Sequence, residues 1–323
     1  VFGLVLMVLP LYFYNPNLVA STGSKNWVAY KGISLFQPSE FMKISYILMV
    51  SRAIVHFLRN NREENRTLKK DFSLILQIAA YTIPVLGLLA FQHDFGTSLV
   101  FMAIFSGVVL ISGVSWKIIL PVFLTLAGGI ALFLAVFLSD GGRAFLHQTL
   151  GMPTYQMNRI LAWLNPFDYA QTMTFQQAQG QLAIASGGLL GQGFNVSNLL
   201  IAEDFGFVGG LCLLLLYMFL VYKMLRITLK SNNQFYTYIS TGFIMMLVFH
   251  IFENIGAVTG ILPLTGIPLP FISQGGSAIV SNLIGIGLLL SMSHQNRVSE
   301  ERKKESRLLR QKQLSRLHEK GII

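Results

Sequence analysis

Four stretches of the sequence put ionisable side chains beside or inside long apolar runs. In "QPSEFMK" (37–43), Glu40 and Lys43 are three residues apart, so a helix carries both on one face. Pro38 suits a helix start, and Ser39 can help cap it. "FHIFENIG" (249–256) repeats the spacing with His250 and Glu253, which suits a proton relay, half of a metal site or a satisfied pair. "FQHDFGT" (91–97) offers His93 and Asp94, the latter either functional or a cap for the helix that follows. "NVSNLLIAEDFGFVGG" (195–210) sets Glu203 and Asp204 at the start of an apolar run, where a helix dipole stabilises acids. An ionisable group inside a membrane segment is costly and therefore a candidate for function. The plain alternative for Glu40 and Lys43 is an ion pair that orients two helices.

A fifth stretch, "GILPLTGIPLPFISQGGSAIV" (260–280), bears on anion chemistry. Pro263, Pro268 and Pro270 forbid a continuous helix. Non-helical backbone at membrane depth survives only where it is buried or lines a cavity. Gly275, Gly276 and Ser277 then open the last apolar helix. Free N–H groups at such a start can hold a phosphate, although glycines also simply permit a tight turn. There is no Walker A pattern, which argues against nucleotide hydrolysis, and neither HExxH nor CxxC, which argues against a dedicated metal site.

The elements that must position these residues are helices. The chain has 323 residues, 53% hydrophobic and 12% charged, with mean hydropathy +0.58. A soluble domain carries about 25% charged residues. The deficit runs the whole length and predicts an all-α, polytopic integral membrane protein. Eight apolar segments are predicted, at 1–14, 40–58, 72–91, 97–112, 117–138, 203–225, 236–253 and 276–293. The first residue, Val1, lies inside an apolar segment, which reads as a shortened N-terminus and not as a signal peptide. Cys212 is the only cysteine, so no intrachain disulfide can form, and it reads as a buried small hydrophobe.

Lysines and arginines set the orientation. They crowd the loop after the second segment (Arg52 to Lys70), the turn at Lys117, the exit of the sixth segment and the tail. That alternating set is expected to be cytoplasmic, so 15–36 and the long, weakly charged loop 139–200 face outward. Loop 139–200 is expected to lie on the surface and to be partly helical. Residues 1–296 read as the transmembrane domain. Residues 297–323 read as a basic cytoplasmic helix drawn to anionic lipid, with nothing to suggest nucleic-acid binding. No internal repeat points to an inverted-repeat transporter.

Five motifs in order, "FQPSEFMK" (36–43), "QHDFGT" (92–97), "NRILAWLNPF" (158–167), "QQAQGQLAIASGGLLGQGF" (176–194) and "TGIPLPFISQGGS" (265–277), resemble the SEDS family (shape, elongation, division and sporulation), on its rod-shape branch. The resemblance spans essentially the whole chain. It implies ten transmembrane helices, so the first two are expected to be absent here. It implies polymerisation of lipid II into glycan strands at the outer face of a bacterial plasma membrane during elongation, with a class B penicillin-binding protein as partner. A lipid II flippase and a scaffold for that partner are the alternatives.

The implied chemistry needs a carboxylate to deprotonate the acceptor 4-hydroxyl, and cations to stabilise the departing lipid pyrophosphate. Attack opposite an α-linked pyrophosphate inverts the anomeric centre. Candidate cations are Lys43, Arg143 and Arg159, or a bound divalent ion (Mg or Mn). Glu40, Lys43, Glu203 and Asp204 are the implied supporting residues. Asp94, Arg143, Arg159, Gln177, Ser273, Gly275, Gly276 and Ser277 are the implied substrate-binding set. One departure stands out. In the family the Gly-rich segment is followed by a stretch like P-E-x-x-x-D-F-I-F, whose Asp is the proposed base, and then by x-E-E-x-G. Here Leu200 meets Ile201 directly, and Asp204 matches the second acid of the later motif. The base is therefore expected to be missing between Leu200 and Ile201. Gln274 stands where the family usually has an aromatic residue.

Overall fold

The computed structural model describes residues 2–61, 67–139, 141–149, 151–152, 154–165, 175–191, 193, 201–273 and 275–319. All eight expected apolar segments are helices: α1 (Phe2–Tyr12), α3 (Pro38–Asn60), α4 (Leu68–Phe91), α5 (Phe95–Ile111), α6 (Trp116–Leu138), α10 (Ile201–Leu229), α11 (Gln234–Thr259) and α12 (Gly276–Glu319). Six are long and apolar enough to cross a membrane; α1 and α5 are shorter apolar helices. The shorter α2 (Pro16–Thr22), α7 (Gly142–Gln148), α8 (Thr154–Leu164) and α9 (Phe175–Gly187) lie in the connecting segments. The chain is a multi-pass membrane protein.

Local chemistry explains the boundaries. Pro38 occupies the first turn of α3, where its missing N–H costs nothing. Thr67 caps α4, Asp94 caps α5 and Asn233 caps α11 through side-chain oxygens. Gly260 ends α11 in the left-handed conformation, as a helix stop favours. The prolines at 263, 268 and 270 keep 260–273 non-helical, as expected.

One element departs from the all-α expectation. Strands β1 (Val28–Tyr30) and β2 (Ile33–Phe36) pair antiparallel across a turn at Lys31 and Gly32, both with positive φ. A two-residue turn of this kind matches the twist of a hairpin.

The core forms where α3, α4, α5 and α11 meet. Tyr46 packs edge-to-face on Phe101 at 5.2 Å between ring centres, and its hydroxyl bonds Thr82 Oγ1 at 2.7 Å. Gly242 lets α11 approach α3 closely, since a Cβ there would lie 2.8 Å from the Ile47 side chain. Membrane helices without a hydrophobic drive between them associate through small residues in this way. α6 is different: none of its central window is buried. α12 runs unbroken for 44 residues and carries the basic tail as its own continuation.

Candidate active site

The charges of α3 sit deep in the bundle. Lys43 Nζ lies 2.8 Å from Glu40 Oε1, and both side chains are almost fully buried, at 1% and 3% exposure. The pair lies within one helix, so it does not by itself join two. The link between helices is His250 on α11, whose Nε2 is 3.3 Å from Lys43 Nζ. An ammonium group has only donors, so Nε2 accepts and the imidazole proton resides on Nδ1. Among the described residues, that Nδ1 and Glu40 Oε2 meet no hydrogen-bond partner. The expected His250–Glu253 pair is thus replaced by two separate attachments. One helical turn away, Glu253 accepts from the backbone N–H of Thr265 at 3.3 Å and from the Thr265 hydroxyl.

The N-terminal end of α3 is knitted to its neighbours. Ser281 Oγ donates to the Glu40 carbonyl at 2.8 Å, and the Gln37 N–H donates to Ser277 Oγ at 3.1 Å. Ser277 therefore holds α12 against α3. Asp94 accepts from Thr97 N–H (3.1 Å), Thr97 Oγ1 (2.9 Å), Asn26 Nδ2 (2.7 Å) and Gln37 Nε2 (3.2 Å). Its carboxylate caps α5 and ties three segments together at the same end.

The Pro-rich stretch is pinned from several sides. Asn254 Nδ2 donates to the Ile267 carbonyl at 2.9 Å, Tyr217 OH to the Pro270 carbonyl at 2.5 Å, and Trp163 Nε1 to the Gly260 carbonyl at 3.1 Å. Ser273 Oγ accepts from the Leu269 N–H at 2.9 Å. Gly275 is half-buried and Gly276 exposed where α12 begins. These bonds satisfy backbone groups that proline and the irregular chain leave unpaired.

Glu203 and Asp204 do not open a regular helix. α10 breaks at Gly206 (φ 63°, ψ −163°), a conformation that is essentially glycine's alone. Beyond the break, the N–H groups of Phe207 and Val208 donate to the carbonyls of Gly188 (2.9 Å) and Leu189 (3.1 Å). Backbone carbonyls of the Gly-rich segment thus cap the long helix, in place of the two acids. A Cβ on Gly206 would lie 2.8 Å from Leu189 backbone atoms, so the two segments touch backbone to backbone. The Asp204 carbonyl accepts from the Gly193 N–H at 3.3 Å. The side chains of Glu203, Arg159 and Gln177 lie outside the described residues, as do Gln274 and the segment up to Leu200. Arg143 is exposed on α7.

The structure thus sets the α3 turn that bears Glu40 against the first turns of α12, through the Gln37–Ser277 and Ser281–Glu40 bonds, and it sets Asp94 beside Gln37 at the same end. Sequence reasoning missed His250 as the partner of Lys43. It also missed Asp71, a buried carboxylate that accepts from the Ser115 N–H at 2.9 Å and locks α4 to the start of α6.

A family model described as "Cell cycle protein", covering FtsW, RodA and SpoVE, matches residues 1–298. The chain belongs to the SEDS family. Among SEDS relatives, the peptidoglycan glycosyltransferase MrdB of Escherichia coli (strain K12) is 33% identical over 298 residues, 87% of this chain and 74% of that protein. Stage V sporulation protein E of Bacillus subtilis is 30% identical over 292 residues, 85% and 73% of the two chains. The crystal structure of the Thermus thermophilus rod shape determining protein RodA superposes with TM-score 0.60 at 26% identity, covering 91% of this chain and 76% of that one. A chain of a peptidoglycan synthase complex superposes with TM-score 0.66 at 27% identity, covering 91% and 79%. The SEDS fold is thus shared across the described bundle.

Proposed function

We propose that this chain is a peptidoglycan glycosyltransferase that polymerises lipid II at the outer face of the plasma membrane during elongation. The observation that carries the reading is the likeness to MrdB, a peptidoglycan glycosyltransferase, over most of both chains. The buried Glu40–Lys43–His250 cluster fits it. A fixed ammonium on the helix that packs against the α12 start is suited to the negative charge that builds on a departing pyrophosphate. Glu40 and His250 hold that ammonium from two sides, so it is oriented before substrate arrives. The pinned Pro-rich loop keeps the α12 start rigid, and the docked Gly-rich segment does the same for the start of α10.

The carboxylate base that the family motif implies would stand between Leu200 and Ile201, which follow each other directly in this sequence. A divalent ion would add charge at the pyrophosphate. Among the described residues no three His, Cys, Asp or Glu side chains converge to seat one. The basic loops support a cytoplasmic tail and an outward loop 139–200. A class B penicillin-binding protein is the proposed partner, which accords with the likeness to a chain of a synthase complex.

The test is a lipid II polymerisation assay on the whole chain in detergent or proteoliposomes. Wild type should yield glycan polymer, and Lys43→Met should lower the rate by about a hundredfold, the usual scale for one lost electrostatic group. Lipid II translocation without polymer would support a flippase and overturn the proposal.

A further inference from the structure

The segment between α1 and α3 forms an apolar face whose occupant can be argued from its attachment points. Tyr30, Ile33 and Leu35 are exposed by 63%, 68% and 57%. Tyr30 and Ile33 are register partners; Leu35 stands at a bulge in β2, yet the exposure of Ile33 and Leu35 still alternates with the half-buried Ser34 and Phe36, which sets all three on the open face of the hairpin. The polar side chains nearby turn the other way: Asn26 and Gln37 both bond Asp94 inside the bundle.

The hairpin cannot stand away from the membrane. α3 has 23 residues, about 35 Å at 1.5 Å per residue, which just covers a hydrocarbon core of about 30 Å. Its ends therefore lie at the two interfaces, and β2 finishes two residues before α3 begins. The other strand is hung on α1, since the Ala29 N–H donates to the Phe13 carbonyl at 2.9 Å. Even the turn is tied down, because Asn15 Nδ2 donates to the Gly32 carbonyl at 2.6 Å. The Lys25 N–H, just before β1, donates to the Gln92 carbonyl at the end of α4. The hairpin thus lies flat across three membrane-helix ends.

Its chemistry matches that depth. Lys31 Nζ sits 5.4 Å from the Tyr30 ring centre, and Lys25 Nζ 4.6 Å from that of Tyr14. Aromatic rings paired with lysines, beside aliphatic side chains, are what the headgroup boundary of a bilayer favours: rings and aliphatics reach inward while ammonium groups stay with lipid phosphates. A water-facing hairpin would instead leave three large apolar side chains side by side in solvent.

We propose that the β1–β2 hairpin is an interfacial anchor, with Tyr30, Ile33 and Leu35 embedded among the lipids of the leaflet at that end and Lys31 at their headgroups. The proposal does not depend on the enzymatic reading. The test places a nitroxide label on Leu35→Cys, and separately on Ile33→Cys, in a Cys212→Ser background. The whole chain is reconstituted in vesicles of phosphatidylethanolamine and phosphatidylcholine, whose zwitterionic surface does not draw the basic tail. Accessibility to oxygen is compared with accessibility to a water-soluble nickel chelate, with a label at Glu305→Cys on the exposed tail as the aqueous reference. Oxygen accessibility several-fold above that of the reference, with the chelate several-fold below, is the expected result. Reference-like values at both positions would place the hairpin in water and overturn the proposal. Shielding from both reagents would mean that protein covers the face, and would overturn it equally.

Discussion

Glu40→Gln and Lys43→Met, made singly and together, test whether the buried pair is coupled as its geometry requires. At 2.8 Å and an effective dielectric constant of about 20, the Coulomb attraction is about 6 kcal/mol. Desolvation of both ions offsets part of this, and removing one partner of a buried pair costs about 3–5 kcal/mol because the other charge is stranded. Burial to a few per cent leaves almost no solvent screening. Glu40→Gln keeps a carbonyl near Lys43 but leaves the ammonium uncompensated. Lys43→Met strands the carboxylate and also removes the donor to His250 Nε2. The double variant strands neither charge. Each single variant should therefore lose about 3 kcal/mol, and the double variant no more than either single one. A coupling of about 3 kcal/mol, roughly two orders of magnitude in the unfolding constant, should emerge from the cycle. Equilibrium unfolding in mixed micelles of mild detergent and dodecyl sulfate measures it. Additive losses in the double variant would mean that the two side chains do not share their energy, and would refute the reasoning.

Further outcomes follow from other contacts. Gly206→Ala should lower the thermal midpoint in detergent, because the backbone there costs about 1–3 kcal/mol for any other residue and a Cβ would meet Leu189. Gly210→Ala has open space and should leave the midpoint unchanged or raised. Asp94→Asn turns an amide donor toward Asn26 and Gln37, which already donate, and should cost about 1–3 kcal/mol by the same unfolding measurement. Glu253→Leu should speed hydrogen exchange at the Thr265 amide, whereas Glu253→Gln keeps an acceptor and should leave it slow.

The helices were legible because each needs only a sufficient run of apolar residues, and such a run has few alternatives once water is absent. The Glu40–Lys43 contact was legible because i,i+3 spacing fixes it within one helix. The identity of the third member was not. His250 is 207 residues from Lys43, and only the packing of α11 on α3 brings them together. Spacing alone suggested His250 with Glu253, but rotation of α11 sends one toward α3 and the other toward Thr265. The hairpin was illegible for another reason: seven strand residues in a chain of this hydropathy carry too little periodicity to stand out. The break at Gly206 was hidden because a glycine near a helix start is compatible with both a straight and a broken path.

The unbroken α12 turns the last helix into a lever. Its 44 residues span about 66 Å, and the stretch from Arg297 to Glu319 alone projects about 34 Å. The opposite end is fixed, since Ser277 and Ser281 bond the Gln37 N–H and the Glu40 carbonyl. A sideways swing of about 10° at the projecting arm moves its tip by about 6 Å while the fulcrum stays within the bundle. Whatever grips the basic arm on one side of the membrane therefore applies torque to the turn of α3 that bears Glu40. The basic arm and the α3 turn that bears Glu40 are thus linked by one continuous path of helix and hydrogen bond.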